Sequence, residues 1–261
     1  MKKRYFDKWS ENTINMLSND VYSDLTQMLP EAESADSILI EFGTGNGQST
    51  LELIKLGYRI IVLEINEFCA RACYDLMIDK QIPVKKSSIA TIQNDLNSNQ
   101  TKVFVIEGDG LKFLDKKFNA NVLVCWFIGA SIVDTSNVLK KTVSSKENSI
   151  NKKYREYIQE QIYKKFRINN QLFKTAQIQI CDRTRKQILE APGSVFSSFK
   201  AFHTQLSKNK YKLEGGFGLV NEMIFQGMDY VSQSPNLDQS NSIPMIIVIH
   251  AAHDTPQIVH S

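Results

Sequence analysis

The chain is sparing with the residues that most often announce a special architecture. It has four cysteines and six prolines in 261 residues, too few thiols for the disulfide framework of a small secreted domain. Its net charge of +3 is too small to argue for nucleic acid or a membrane surface as partner. The longest apolar runs, residues 122–130 and 245–249, are of strand length, and nothing approaches the roughly 20 residues of a membrane span. The opening Met1-Lys2-Lys3-Arg4-Tyr5-Phe6-Asp7 is basic without an apolar stretch behind it, so no signal peptide is expected. Cys69 and Cys73, four apart on a helical pattern, read as packed small apolar residues. His250-Ala-Ala-His253 lacks the glutamate beside the first histidine that a zinc-protease helix needs, so no metal site is expected. A cytoplasmic protein fits these absences.

What is present begins with 42% hydrophobic residues, enough for one large α/β domain over residues 1–261. Residues 38–47 read Ile-Leu-Ile-Glu-Phe-Gly-Thr-Gly-Asn-Gly. A short apolar strand carries the carboxylate Glu41, three glycines follow at alternate positions, and Gln48-Ser49-Thr50 open an amphipathic helix. Glycines serve where the backbone turns sharply or passes close to a ligand, and a strand–turn–helix of this kind brings a nucleotide-like ligand to the carboxyl edge of a sheet. A dinucleotide fingerprint wants G-x-G-x-x-G. Here the glycines are Gly43, Gly45 and Gly47, and Gln48 occupies the place of the fingerprint's third glycine.

The next strand, residues 58–63, ends at Glu64, 21 residues beyond Gly43, where a carboxylate accepts hydrogen bonds from a ribose diol. A third strand, residues 102–106, runs into Glu107-Gly108-Asp109-Gly110. A carboxylate at Asp109 suits an exocyclic amine because it accepts and does not donate; it also suits the N-cap of the following helix. Together, Glu41 before Gly43-Thr44-Gly45-Asn46-Gly47, then Glu64-Ile65, then Asp109-Gly110, resemble the ordered motifs of the class I S-adenosylmethionine (SAM) dependent methyltransferases. The likeness covers about residues 37–131. It implies a doubly wound, seven-stranded, mostly parallel sheet with helices on both faces, closed by two antiparallel strands. It implies SAM as cofactor, with Glu41, Gly43, Thr44, Gly45, Asn46, Gly47, Glu64, Ile65, Asp109, Gly110 and Phe127 as cofactor-binding residues. Glu64 and Asp109 are 45 residues apart, longer than one crossover helix requires; helical patterns at 67–77 and 88–96 predict an inserted second helix.

Residues 1–30 read as helical, with Trp9, Ile14, Leu17, Val21 and Leu25 at helical spacing, either closing over the cofactor or packing on the flank of the sheet. A fourth strand, residues 121–128, exits into Gly129-Ala130-Ser131-Ile132-Val133-Asp134, where the resemblance places the substrate site. The Asn/Asp-Pro-Pro-Tyr/Phe sequence of adenine and cytosine DNA methylation does not occur there. Residues 140–170 form a basic helical insertion with Ile150, Tyr154, Tyr157, Ile158, Ile162 and Phe166 as its apolar stripe, read as a solvated face and part of a lid. Because the aromatics lie in the stripe and do not interleave with the charges, RNA stacking is disfavoured. A fifth strand at 176–181 ends at Asp182, a helix follows over 196–206, and strands near 219–225, 228–231 and 244–250 complete the sheet.

SAM brings an activated methyl group, so the protein must align the acceptor and exclude water. A base near an amine or hydroxyl acceptor is useful; the candidates are Asp134 and Asp182, and behind them His203. The reading is therefore an enzyme that transfers a methyl group from SAM to a small-molecule amine, hydroxyl or carboxylate, without nucleic acid or membrane as partner. Aminopropyl or aminocarboxypropyl transfer from the same cofactor is the alternative, and an NAD-dependent oxidoreductase ranks below it.

Overall fold

The computed structural model describes residues 1–18, 20–97, 100–116, 118–139, 154–155, 157–162, 165, 173–185, 212–218 and 244–252. Two helices, α1 (Lys2–Ser18) and α2 (Val21–Gln27), precede β1 (Ile38–Phe42), α3 (Gln48–Ile54), β2 (Arg59–Glu64) and α4 (Glu67–Asp79). Then come β3 (Val84–Ser87), α5 (Ile92–Asp95), β4 (Val103–Glu107), α6 (Gly110–Phe113), β5 (Phe118–Trp126) and α7 (Ile132–Leu139). The described strands end with β6 (Phe173–Arg185), β7 (Lys212–Gly218) and β8 (Pro244–Ala252).

The strands form one sheet in the order β3-β4-β2-β1-β5-β6-β8-β7. From β4 to β6 every pairing is parallel, and the run β4-β2-β1-β5-β6 is the 3-2-1-4-5 order of a doubly wound sheet. In that order the chain reverses direction of travel on either side of β1, and ligands bind at the carboxyl ends beside it. The far end departs from a dinucleotide fold: β8 inserts between β6 and β7 and is antiparallel to both. This is the closing pair that the resemblance implied.

Among the described residues the sheet has eight strands where seven were expected. The additional one is β3, parallel to β4 at the edge of the sheet, and it accounts for the long interval between Glu64 and Asp109. The chain crosses on α4 to the edge and returns through the single turn of α5, so the inserted helix expected at 88–96 is reduced to that turn. The N-terminal segment is also interrupted. Asp20 adopts φ 54°, a left-handed conformation that aspartate tolerates better than most residues, and it separates α1 from α2. The C-terminal pair uses residues 212–218; the strands expected near 219–225 and 228–231, the helix over 196–206, His203 and His253 lie outside the described residues.

Parallel strands covered on both faces are apolar throughout, and here alternation assigns each residue to one of two cores. Leu39, Ile60, Val62, Val103 and Val124 face α1–α4, against Leu25, Leu53, Cys73 and Met77. Ile40, Ile61, Leu63, Phe104 and Leu123 face the other side, against Phe113, Tyr154, Ile158 and Ile162. Burial of each such side chain contributes about 1.5–3 kcal/mol. Tyr154, Tyr157, Ile158 and Ile162 are the described part of the stripe read from the insertion; residues 140–153 and 166–170, with most of its lysines, lie outside the described residues.

One polar group crosses this core. Gln179 on β6 is fully buried, accepts from Trp126 Nε1 at 2.7 Å and donates to the Leu25 carbonyl at 3.3 Å, which ties β5, β6 and α2 together. Removing one partner of such a bond strands the others without water. Gln179→Leu is therefore expected to cost about 1–3 kcal/mol, read as a lower midpoint in urea denaturation at unchanged slope.

Candidate active site

The site grows from the turn after β1. Gly43, Gly45 and Gly47 have φ of +82°, +57° and +88°, values that a side chain resists. Space is as restrictive as conformation at two of them. A Cβ on Gly45 would lie 2.0 Å from Trp9 Nε1, and one on Gly47 would lie 2.9 Å from the Cα of Cys73 on α4. Cys69 and Cys73 are buried free thiols, Cys73 serving as the packing surface beneath the loop.

Two carboxylates hold the turn, and they hold different things. Glu41, 1% exposed, accepts from Ser49 Oγ through Oε1 and from Thr50 Oγ1 through Oε2 at 2.6 Å. Thr44 Oγ1 stands 2.6 Å from Thr50 Oγ1. The carboxylate thus binds the first turn of the helix that its own loop begins. Glu64, at the end of β2, accepts from the Gly45 amide at 3.2 Å and from the Asn66 amide at 2.9 Å. Burial pushes both carboxyls up to about 7, against the pull of those hydrogen bonds. For Glu64 the neighbouring charges of Asp134 and Glu41 act in the same direction as burial.

Asn66 carries three jobs. Its amide reaches Glu64, its Oδ1 caps α4 by accepting from the Phe68 amide at 3.0 Å, and its Nδ2 donates to the Lys2 carbonyl at 3.2 Å. Asn before Glu67 is a helix-start signal legible in sequence. Ile65 is half-buried against the core beneath the site. Asn46 is half-buried in the turn. Asp109 is half-buried and caps α6, accepting from the Leu111 amide at 3.0 Å. Gly110 packs where a Cβ would meet Phe42 at 2.6 Å.

On the other side of β1, Phe127 follows β5 with φ 54°. It is buried, in edge contact with Tyr22 at 6.5 Å, and its amide donates to the Cys181 carbonyl at 2.9 Å. Its ring thus lies in the core on the α1–α4 side. Asp134 is buried in the first turn of α7 and accepts from Ser131 Oγ at 2.6 Å, while its own amide donates to that oxygen at 3.2 Å. The Ser131 hydroxyl thus caps the first turn of α7 by accepting from the Asp134 amide. Lys2 Nζ lies 3.0 Å from Asp134 Oδ1, and Asp134 together with its carboxylate neighbours raises the Lys2 pKa, burial opposing. Asp182 is not at a strand end: β6 continues to Arg185, and Asp182 pairs with Ile247 of β8. It is nonetheless one residue past the last pairing of β6 with β5, Trp126 with Cys181.

The structure therefore gathers Gly43–Gly47, Glu64 and Asp134 with Lys2, Tyr5 and Trp9 of α1 at one edge of the sheet. The α1 residues were visible in sequence only as part of a helical pattern that includes Trp9; nothing in that pattern told which of them meets the glycine loop. Among the described residues no group of three or more His, Cys, Asp or Glu could hold a metal ion, and no helix is long and apolar enough to cross a membrane.

No family model matches the chain, and no curated protein does. Solved structures similar to it include geranyl diphosphate C-methyltransferase from Streptomyces coelicolor A3(2), at 10% identity over 91% of this chain and 81% of that one, with a TM-score of 0.49. The 23S rRNA methyltransferase ErmE is 9% identical over 90% of this chain and 67% of that one, with a TM-score of 0.48. The methyltransferase domain of bacterial CtHen1 is 12% identical over 89% of this chain and 98% of that one, at 0.47.

The raised carboxyl of Glu41 has a measurable consequence. A carboxyl whose pKa is higher in the folded state contributes stability that is present in acid and lost as pH rises toward the folded value. Glu41→Gln keeps the shape without the ionisation. Relative to the unsubstituted protein, the variant is expected to gain about 2–3 kcal/mol between pH 5 and pH 8, measured by urea denaturation at both pH values.

Proposed function

We propose that the chain is one SAM-dependent methyltransferase domain acting on a small-molecule acceptor. The observation that carries this reading is the Glu64 carboxylate, set at the carboxyl end of β2 and 3.2 Å from the amide of Gly45 in the turn after β1. The donor set fits the cofactor. Glu64 offers acceptor oxygens suited to a ribose diol, half-buried Asp109 offers an acceptor suited to an adenine amine, and Gly45 has no Cβ to hold a ligand off its backbone once the Trp9 indole is displaced. When bound, SAM supplies the activated methyl group. The chain holds the nucleoside at Glu64 and stiffens the loop through Glu41.

Asp134 is the proton acceptor we favour on the substrate side. It is buried within the electrostatic reach of Glu64 and held in place by Ser131, so its orientation does not depend on the substrate. Asp182, beyond the end of β5, is the second choice. Gln48 in place of the dinucleotide glycine and the antiparallel β8 both count against an NAD enzyme. Transfer of an aminopropyl or aminocarboxypropyl group would use the same pocket, and product mass separates these from methyl transfer. The small net charge gives nucleic acid little electrostatic hold, which favours a small acceptor.

Calorimetric titration with SAM and S-adenosylhomocysteine, with NAD as control, tests the pocket. Both sulfur nucleosides are expected to bind and NAD is not; binding of NAD alone would overturn the reading. Glu64→Ala is expected to weaken SAM by about 1–3 kcal/mol through loss of the ribose acceptors. Unchanged affinity in that variant would place the ribose elsewhere.

A further inference from the structure

The geometry points to α1 as an intramolecular plug: through Trp9 and Lys2 it seals the glycine loop, so that the docked helix and a nucleoside ligand compete for the same place. This rests on the cofactor site proposed above. Lys2, Tyr5 and Trp9 are spaced three and four apart and so lie on one face of α1. Each meets a different part of the sheet edge. Lys2 gives its carbonyl to Asn66 Nδ2 at 3.2 Å and its ammonium to Asp134 at 3.0 Å. The Tyr5 hydroxyl lies where a Cβ on Gly129 would be 2.6 Å away, and the Trp9 indole nitrogen lies where a Cβ on Gly45 would be 2.0 Å away. The helix thus spans from the β2 exit to the β5 exit, across the turn after β1.

The contacts make α1 a competitor, not a wall. The indole stands against the backbone of Gly45 with no room for an atom between them, so anything approaching that side of Gly45 must displace it. The two oxygens of Glu64 each accept from one amide, those of Gly45 and Asn66, and these are two residues that α1 touches through Trp9 and Lys2. A ligand that draws on the remaining lone pairs of Glu64 arrives beside both fastenings and meets the Trp9 indole. Release is not prohibitive, because Lys2 is 30% exposed and its ammonium can return to water. The N-terminal turns of the docked helix are held by contacts at the site, Met16 anchors its far end in the core, and its other face carries the solvent-exposed Lys3–Asp7 pair.

Two measurements on the full chain test this with S-adenosylhomocysteine as probe. Lys2→Ala removes the ammonium from Asp134 at a solvent-facing position, and Trp9→Ala removes the indole. Both are expected to bind the nucleoside more tightly, by about fivefold or more, because a larger fraction of molecules has the site open. In the unsubstituted protein, hydrogen exchange of the α1 amides over residues 2–18 is expected to rise when the nucleoside saturates the site. Unchanged or weaker binding by Lys2→Ala, or slower exchange of α1 on saturation, would overturn the plug and leave the cofactor site standing. No binding by the unsubstituted protein or by either variant would overturn the cofactor site itself. Trp9→Ala also creates a cavity in the α1–α4 core; should it fail to fold, Lys2→Ala and the exchange measurement decide the question.

Discussion

Glu64 is the group on which the arrangement at the sheet edge depends. Its two oxygens join the turn after β1 to the start of α4, so one side chain fixes the relative position of two segments that leave neighbouring strands. Burying a carboxylate is costly unless it is well paired. Two amide donors offset that cost only in part, which is why burial still pushes the carboxyl up to about 7. Asp134 and Glu41 add to the cost by their charge. Apolar packing alone would not choose such an arrangement, and perturbed ionisable groups of this kind concentrate where a ligand is handled.

The parts of this edge that were legible in sequence are those in which one residue type has few uses. Alternate glycines after an apolar strand, and carboxylates at the ends of the next two strands, gave the parallel half of the sheet and its order of motifs. Strand β3 was not legible because Val84-Lys85-Lys86-Ser87 is short and largely exposed, so neither an apolar run nor a buried alternation marks it. The break at Asp20 was hidden for a related reason: apolar spacing carries on from Leu17 to Val21 across it. Asp182 was misplaced at a strand end because the polar Asp182-Arg183-Thr184-Arg185 resembles a loop. In the structure that segment stays extended because β8 supplies its hydrogen-bond partners from residues distant in the chain. Most of all, sequence could place aromatics on α1 but could not say where the helix docks, since docking is a property of the whole fold.

Backbone conformation shows the same concentration of constraint. Gly43, Gly45, Gly47 and Gly108 all have positive φ, and Phe127 joins them without the freedom of glycine. A side chain in that region costs roughly 1–2 kcal/mol, and it persists only where the surroundings dictate it. At Phe127 they do: its amide bonds to Cys181 on β6 and its ring packs on Tyr22 of α2. The turn sends the chain from β5 back over the edge, and Gly129 and Asp134 reach the face of α1 as a result.

Glu41 and Glu64 begin alike, as buried carboxyls raised by the same desolvation, and their partners divide them. Glu41 is satisfied by hydroxyls of Ser49 and Thr50, side chains of the helix that its own turn initiates. Those bonds are local and make the loop a stiff unit. Glu64 is satisfied by backbone amides of Gly45 and Asn66, on two different segments, and each of those segments is also touched by α1. Exchanging the partners of Glu41 would unmake the loop. Exchanging those of Glu64 would only change what the loop is fastened to. A ligand that must be held and later released is better served by the second carboxylate, with the first keeping the loop in shape throughout.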